Sequence, residues 1–465
     1  MPELSRRVRG RVLVALLVLL VAAGGAIAAL LSSSSGPPLP RLTVAQGRYL
    51  TLAQRGVAQT SRWWDKKLGW YRAVLNDHDR RPLAKLWDTN GLFEALDEIA
   101  LAYPTSQNLD AVTTFANDSE RYWNDELKPV GGYSPYVGDN SPKQQTWYDD
   151  NGWIGLAFID AYRATRNTRY LTDSERAFSF IAAGGWDTGP GGMWWSTAHP
   201  WRSGEALAAA CDLAARLYAA TRKPVYLRAA EKYIGWADKH LLQVHGVYLP
   251  TADTPYPYLI EPKTKTVSTP TSSQSTHTPN GVAPTGIKTL IQCPKKVRAC
   301  GPRTGVVFSK GTPGPGQATV LSHGPHRAAN AKPTMVAMPH DGEGAMLSAI
   351  TTLCEVTGKQ SWCGAAEKLA GDEIVWLAPF SDGPQYDSVL VRGLLTLYAH
   401  DHNPRWYRFA VAISKLITTH ARTGPGIYLR GWDARPVPSA TYGLLRTDAG
   451  SIDVFADLAT VRPPS

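Results

Sequence analysis

The chain has 465 residues, 43% of them apolar and 19% charged, with a formal net charge of +10. That length exceeds the usual single core, so two domains are the default expectation unless many helices close into one large array. The charge is local: residues 1–11 carry Arg6, Arg7, Arg9 and Arg11 against Glu3, residues 261–335 carry ten Lys or Arg against Glu261, and the rest is nearly neutral. A neutral body argues against a polyanion groove, and so against nucleic acid as a partner.

In chain order, the basic start leads into an uncharged run from Val12 to Leu31 and a linker from Ser32 to Pro38. A run of this length fits either a membrane anchor or, through Gly24-Gly25-Ala26-Ile27-Ala28, a cleaved signal peptide. Residues 1–40 are therefore read as targeting segment plus linker. Either reading puts residues 41–465 outside the cytoplasm, secreted or held at the membrane by residues 12–31.

Apolar periodicity then predicts helices near 44–74, 90–103, 107–127, 151–166, 169–183, 204–221, 224–242, 342–357, 362–376, 385–400, 404–421 and 439–460. The segments AYRATRNTRYLTDSERA, LYAATRKPVYLRAAEKY, LCEVTGKQSWCGAAEKL and, more loosely, LYAHDHNPRWYRFAVAI share one pattern of helix, tight turn at a Thr, and Ala-rich helix. Each reads as an αα-hairpin. The fold class is all-α, and six hairpins are able to close into a toroid or to stack as a superhelical solenoid. Residues 261–335, rich in Thr, Ser, Pro and Gly, read as a loop-rich insertion that buries little apolar surface. A solvated loop is its simplest role, and contact with anionic lipid or envelope glycan the alternative.

Five Cys fit an oxidising compartment: Cys293 with Cys300 and Cys354 with Cys363 are the local disulfide candidates, and Cys211 in its Ala-rich helix reads as a buried thiol. His323, His326 and His340 read as solvated histidines and not as metal ligands, because no clustered acid accompanies them. No cofactor is expected.

The chemistry concentrates in Trp147-Tyr148-Asp149-Asp150-Asn151-Gly152-Trp153, two adjacent carboxylates between aromatic rings at the start of a helical run. Such acids either cap the helix through its first-turn amides or act as the paired acids of glycosidic chemistry. Neighbouring Cα atoms lie about 3.8 Å apart, which suits the roughly 5–5.5 Å carboxyl separation of a retaining pair better than the wider inverting one. Trp87, Tyr148, Trp153, Trp194 and Trp195 are candidate sugar platforms or core rings. Asn151 is a candidate for sugar hydroxyls or for a cap, Arg392 for orienting a partner across the ring or for a structural ion pair, and Glu343 for an extra cleft acid or a first-turn charge.

The segment WYDDNGWIGLAFIDAYRATRNTRYLTDSERAFSFI resembles the signature of glycoside hydrolase family 76, the endo-α-1,6-mannanases, whose core there is Tyr-Asp-Asp-Asn-Gly-Trp. Gly191-Gly192-Met193-Trp194-Trp195 and QYDSVLVRGLLTLY are similar to two further family segments, and the resemblance spans about residues 45–460. It implies an (α/α) six-hairpin toroid, Asp149 as nucleophile, Asp150 as acid and base, and a mannan or mannose-containing envelope polysaccharide as substrate. Trp201-Arg202-Ser203-Gly204-Glu205, Asp341-Gly342-Glu343-Gly344 and Asp387-Ser388 depart from the family pattern, which puts distal subsites in doubt. The rival expectations are mannan transglycosylation at the same acids and a noncatalytic envelope-glycan binder.

Overall fold

The computed structural model describes residues 38–75, 83–243, 246–253, 306–309, 334–376, 382–433 and 442–465. The targeting segment and the Cys293–Cys300 pair lie outside the described residues, as does all of the 261–335 insertion except 306–309 and 334–335. Among the described residues no helix is long and apolar enough to cross a membrane.

The described helices are α1 (Val44–Gln59), α2 (Leu86–Ala102), α3 (Ser106–Ser119), α4 (Tyr148–Thr165), α5 (Thr168–Gly184), α6 (Gly204–Thr221), α7 (Pro224–His240), α8 (His340–Thr357), α9 (Gln360–Trp376), α10 (Pro384–Asp401), α11 (Pro404–Leu416) and α12 (Leu445–Thr460). Packing follows one rule: α2 touches α4, α4 touches α6, α6 touches α8, α8 touches α10, α10 touches α12, and α12 returns to α2. Six inner helices thus close a ring, with α3, α5, α7, α9 and α11 outside their hairpin partners and α1 outside α12. The fold is an α/α toroid, and closure of α12 on α2 excludes the solenoid.

Composition decides which helix goes where. In α6, GEALAAACDLAARLYAAT, every residue from Gly204 to Ala215 is buried, as an inner helix enclosed by neighbours requires. In α11 only Trp406, Tyr407, Ala410, Ile413 and Ser414 are buried, a single stripe at helical spacing facing the inner layer. Inner helices approach closely where small residues meet. A Cβ on Gly344 would lie 2.4 Å from the Val389 carbonyl, and one on Gly393 would lie 2.6 Å from the Gly344 carbonyl, so α8 and α10 cross backbone to backbone.

The repeated Thr has a mechanical reason. Thr165, Thr221 and Thr357 donate to the carbonyl four residues back and accept the amide two residues ahead, at Asn167, Lys223 and Lys359. Between them Arg166, Arg222 and Gly358 take left-handed backbone, and each amide closes on a carbonyl of the last turn. These three hairpins therefore turn in two residues at this end, and the long connections fall at the other end, where the inner helices begin.

Two predicted helices are too long. The 44–74 helix stops at Gln59 and gives way to a β-hairpin, β1 (Trp64–Asp65) with β2 (Trp70–Tyr71); Asp65 Oδ1 accepts the amides of Lys67 and Leu68 and Gly69 sits at φ 63°. Trp63 and Trp70 are seven apart and mimic helical periodicity, but the Asx turn between them sets the backbone. The same replacement occurs after α3, with β3 (Trp123–Asn124) and β4 (Gly132–Tyr133), whereas the 404–421 helix keeps its length, α11 passing into a π-helical turn over Ile417–Ala421 before β7 (Arg422–Gly424) pairs with β8 (Ile427–Tyr428). At the insertion, β5 (Val306–Ser309) pairs antiparallel with β6 (Thr334–Ala337), so this region is not wholly without regular structure.

Cys354 and Cys363 form the expected disulfide across the α8–α9 turn, and Cys211 is a buried free thiol.

Candidate active site

Every inner helix starts with an acid in its first turn: Asp88, Asp149 with Asp150, Glu205, Asp341 with Glu343, Asp387 and Asp448; no outer helix does. Six helix N-termini facing one end present unpaired amides and positive dipole ends, which favour carboxylates there. Four of these eight acids hold loop backbone. Asp88 accepts the Lys85 amide and pairs with Arg446, Glu343 accepts the Tyr248 amide, Asp387 that of Gly383, and Asp448 that of Tyr428. Of the eight, Asp150 alone is not buried.

Asp149, 2% exposed, lies beside it with both oxygens engaged: Oδ1 accepts the Asp150 amide at 3.0 Å and Oδ2 accepts the Trp195 indole N–H at 3.0 Å. The N-cap position belongs to Trp147, which makes no side-chain cap bond. One oxygen of Asp149 therefore does serve a first-turn amide, as a cap reading expects, while the other is gripped by a ring from the loop before α6. The result is a fixed, enclosed carboxylate next to an accessible one.

The rings separate into three groups. Trp87, half-buried, lies 6.0 Å from Trp153 and 5.9 Å from Tyr386, so side chains of α2, α4 and α10 form an aromatic floor spanning the ring. Tyr386 was not singled out from sequence, because its partners are distant in the chain. Trp194 is half-buried and stacks at 5.0 Å on exposed His199, whose φ of 50° is unusual for a residue other than glycine. Trp195 is enclosed at 2% exposure, stacked at 4.5 Å on Trp201 and approached edge-on by Trp147, so it holds Asp149 and does not offer a sugar platform.

Four expectations are corrected by burial. Tyr148 packs on Phe180 in the wall between α4 and α5, 2% exposed, and burial pushes its hydroxyl up to about 12. Asn151 is fully enclosed, its Oδ1 accepting the Tyr133 amide and its Nδ2 donating to the Tyr133 and Trp147 carbonyls, so its polar atoms clamp backbone and not sugar. Arg392 sits inside the ring with Glu94 at 3.0 Å, Asp453 at 2.9 Å and Asp457 at 3.4 Å, the structural alternative of its two readings. His340 is fully buried, not solvated, 2.5 Å from Asp387 and 3.8 Å from Asp382. Burial works to lower its pKa, but Asp382 and the hydrogen bond with Asp387 outweigh it and push it up to about 9. The Nδ1 to Oδ1 contact is a charge-assisted hydrogen bond, and the two carboxylates supply the clustered acids that the sequence did not show beside His340, the three ligand-type atoms lying within 4.8 Å of one another.

Glu343 is likewise no cleft acid. It is fully buried, and burial pushes its carboxyl up to about 8 against the opposing Tyr248 amide and His340 charge. A folded-state value above the ordinary 4.5 means that its stabilising contribution is complete below about 4.5 and is lost as pH rises through about 8. Glu343→Gln is expected to raise the melting temperature relative to the parent at pH 9 and to show less gain at pH 5. Thermal unfolding at the two pH values checks this, and a pH-independent difference refutes it.

Residues 78–254 match the family model of Glycosyl hydrolase family 76. The family named by the motifs is the family matched. The matched stretch includes Asp149, Asp150 and the Gly191–Trp195 segment, and ends before α8. Among solved structures, a GH76 alpha-mannanase of Bacteroides thetaiotaomicron is 16% identical with a TM-score of 0.64, covering 89% of this chain and 95% of that one. An inactive variant of the GH76A alpha-1,6-mannanase of Salegentibacter, with two consecutive aspartates changed to alanine and in complex with alpha-1,6-mannotetrose, is 13% identical with a TM-score of 0.57, covering 88% and 98%. A sugar epimerase from a ruminal bacterium is 10% identical with a TM-score of 0.58, covering 90% and 98%, so the toroid alone does not fix the reaction. No curated protein matches the chain.

Proposed function

We propose that the chain is an extracytoplasmic, retaining, endo-acting glycoside hydrolase that cleaves α-1,6-mannosidic linkages, without a cofactor, in mannan or a mannose-containing envelope lipoglycan. The observation that carries the reading is the pair itself: one carboxylate held rigid by an indole, and beside it the single first-turn acid of the inner ring that is open to solvent. The family 76 match over these residues supports it, as does the Salegentibacter alpha-1,6-mannanase variant, inactive with two consecutive aspartates replaced.

In this reading the Asp150 carboxyl protonates the glycosidic oxygen while Asp149 attacks the anomeric carbon, breaking the bond to the leaving sugar and forming a glycosyl ester. Asp150, now a carboxylate, then takes a proton from water, whose oxygen attacks the same carbon and releases Asp149. Two inversions give retention. Trp87, the half-buried ring of its group, supplies apolar surface for a pyranose face, backed by the enclosed rings of Trp153 and Tyr386.

Linear α-1,6-mannan is the decisive substrate. Short oligosaccharides whose newly formed reducing ends are α by proton NMR before mutarotation are expected. β anomers overturn the mechanism, products longer than the substrate point to transfer, and binding without products overturns the enzyme.

A further inference from the structure

Trp201 packs on the residue that holds Asp149. Its ring stacks on Trp195 at 4.5 Å and 19°, and its carbonyl accepts the Trp195 amide at 3.0 Å. On the other side the Trp195 carbonyl accepts the Tyr148 amide at 3.1 Å, and Trp147 meets the Trp195 ring edge-on at 5.9 Å. The next residue, Arg202, is tied to Asp253 through its backbone amide at 2.6 Å and its Nε at 2.7 Å, which anchors the strand behind the stack. Trp195 and Trp201 are 2% and 8% exposed, so the stack has no face open to a pyranose.

We propose that Trp201 is a positioning residue for Asp149, acting through Trp195. This rests on the reading of Asp149 as nucleophile. An aspartate carboxyl rotates freely about its last bond unless both oxygens are held; here the Asp150 amide holds one and the Trp195 indole the other. The indole points at Asp149 only while its plane is fixed, and the Trp201 ring fixes that plane. Charge-assisted donors of this kind orient a carboxylate as well as stabilising it, and small misplacement of an attacking atom is costly.

The test separates positioning from sugar binding by kinetics on α-1,6-mannan. Trp195→Phe keeps a ring but removes the N–H, and is expected to lower kcat on the order of 10²-fold with KM within about twofold. Trp201→Leu is expected to produce a similar loss, Trp201→Phe to recover most of it, and the double variant Trp195→Phe/Trp201→Leu to fall no further than Trp195→Phe alone. A raised KM at unchanged kcat in Trp195→Phe makes that ring a sugar platform and overturns the proposal, as do multiplying losses in the double variant.

A readout independent of turnover guards against misfolding and against failure of the functional reading. In protein labelled with 15N-tryptophan, the Trp195 indole resonance is expected to move in Asp149→Asn and in Trp201→Leu. An unmoved resonance in Trp201→Leu overturns the positioning role even if the chain cleaves nothing, whereas wild-type inactivity with the resonance moving defeats only the functional reading.

Discussion

Asp149→Asn is expected to abolish turnover of every glycoside, by on the order of 10⁴-fold or more, because it removes the atom that forms the covalent intermediate. Asp150→Asn is expected to behave differently. It removes proton transfer, worth about 10²–10⁴-fold, so natural polymer suffers most and an activated aryl mannoside, whose leaving group needs no proton, is far less affected in the first step. Glycosylated enzyme then accumulates, and added azide is expected to restore turnover of the aryl substrate as the α-mannosyl azide. Steady-state kinetics on mannan and on an aryl mannoside check the pair. Equal losses on both substrates in Asp150→Asn exclude the acid–base role, and full activity in either variant leaves that residue as a helix-start charge.

The second large effect concerns stability. Arg392 is the cation among Glu94, Asp453 and Asp457 inside the ring, and Arg216 holds Asp160 at 3.0 Å and Asp212 at 3.2 Å nearby. Replacing one partner of a buried ion pair strands the others, so Arg392→Met is expected to destabilise the fold by about 3–5 kcal/mol near neutral pH. The loss has a pH signature. Burial pushes Asp453 up to about 8 against the opposing Arg392 charge, so its stabilising contribution is complete below its ordinary value and is lost as pH rises through about 8. Without Arg392 the opposing pull is gone, and the deficit of the variant is expected to be smaller at pH 5, where protonated carboxyls donate to one another, than at pH 8. Urea unfolding at the two pH values decides it, and an equal deficit at both removes the ion cluster as the cause.

Local signals are legible in the sequence, and relational ones are not. The hairpin turns were legible because Thr, a left-handed residue and a new helix start lie within a few positions, as at Thr165-Arg166-Asn167. Asp149 and Asp150 were legible because the two groups are adjacent. Ring closure was not, since α12 meets α2 across most of the chain. Nor was the fate of Asn151 or Glu343, whose side chains are consumed by Tyr133 and Tyr248 in separate loops. Tyr386 is not singled out by the sequence, and Trp201 stands out there only as a departure from the family pattern, for the same reason: each matters through a ring contributed by another segment. The first β-hairpin is hidden in the sequence because Trp63 and Trp70, seven apart, look helical when the Asx turn at Asp65 is ignored.

Closure of the inner ring by α12 bears on biosynthesis. Until Leu445–Thr460 is available, α1 lacks its inner mate and α2 and α10 face an empty slot, so the nascent chain is an open arc with greasy edges at both ends. Such an arc invites pairing with a second nascent copy or capture by a chaperone, and the acid pair on α4 sits in a scaffold that does not become rigid until the final stave is driven in.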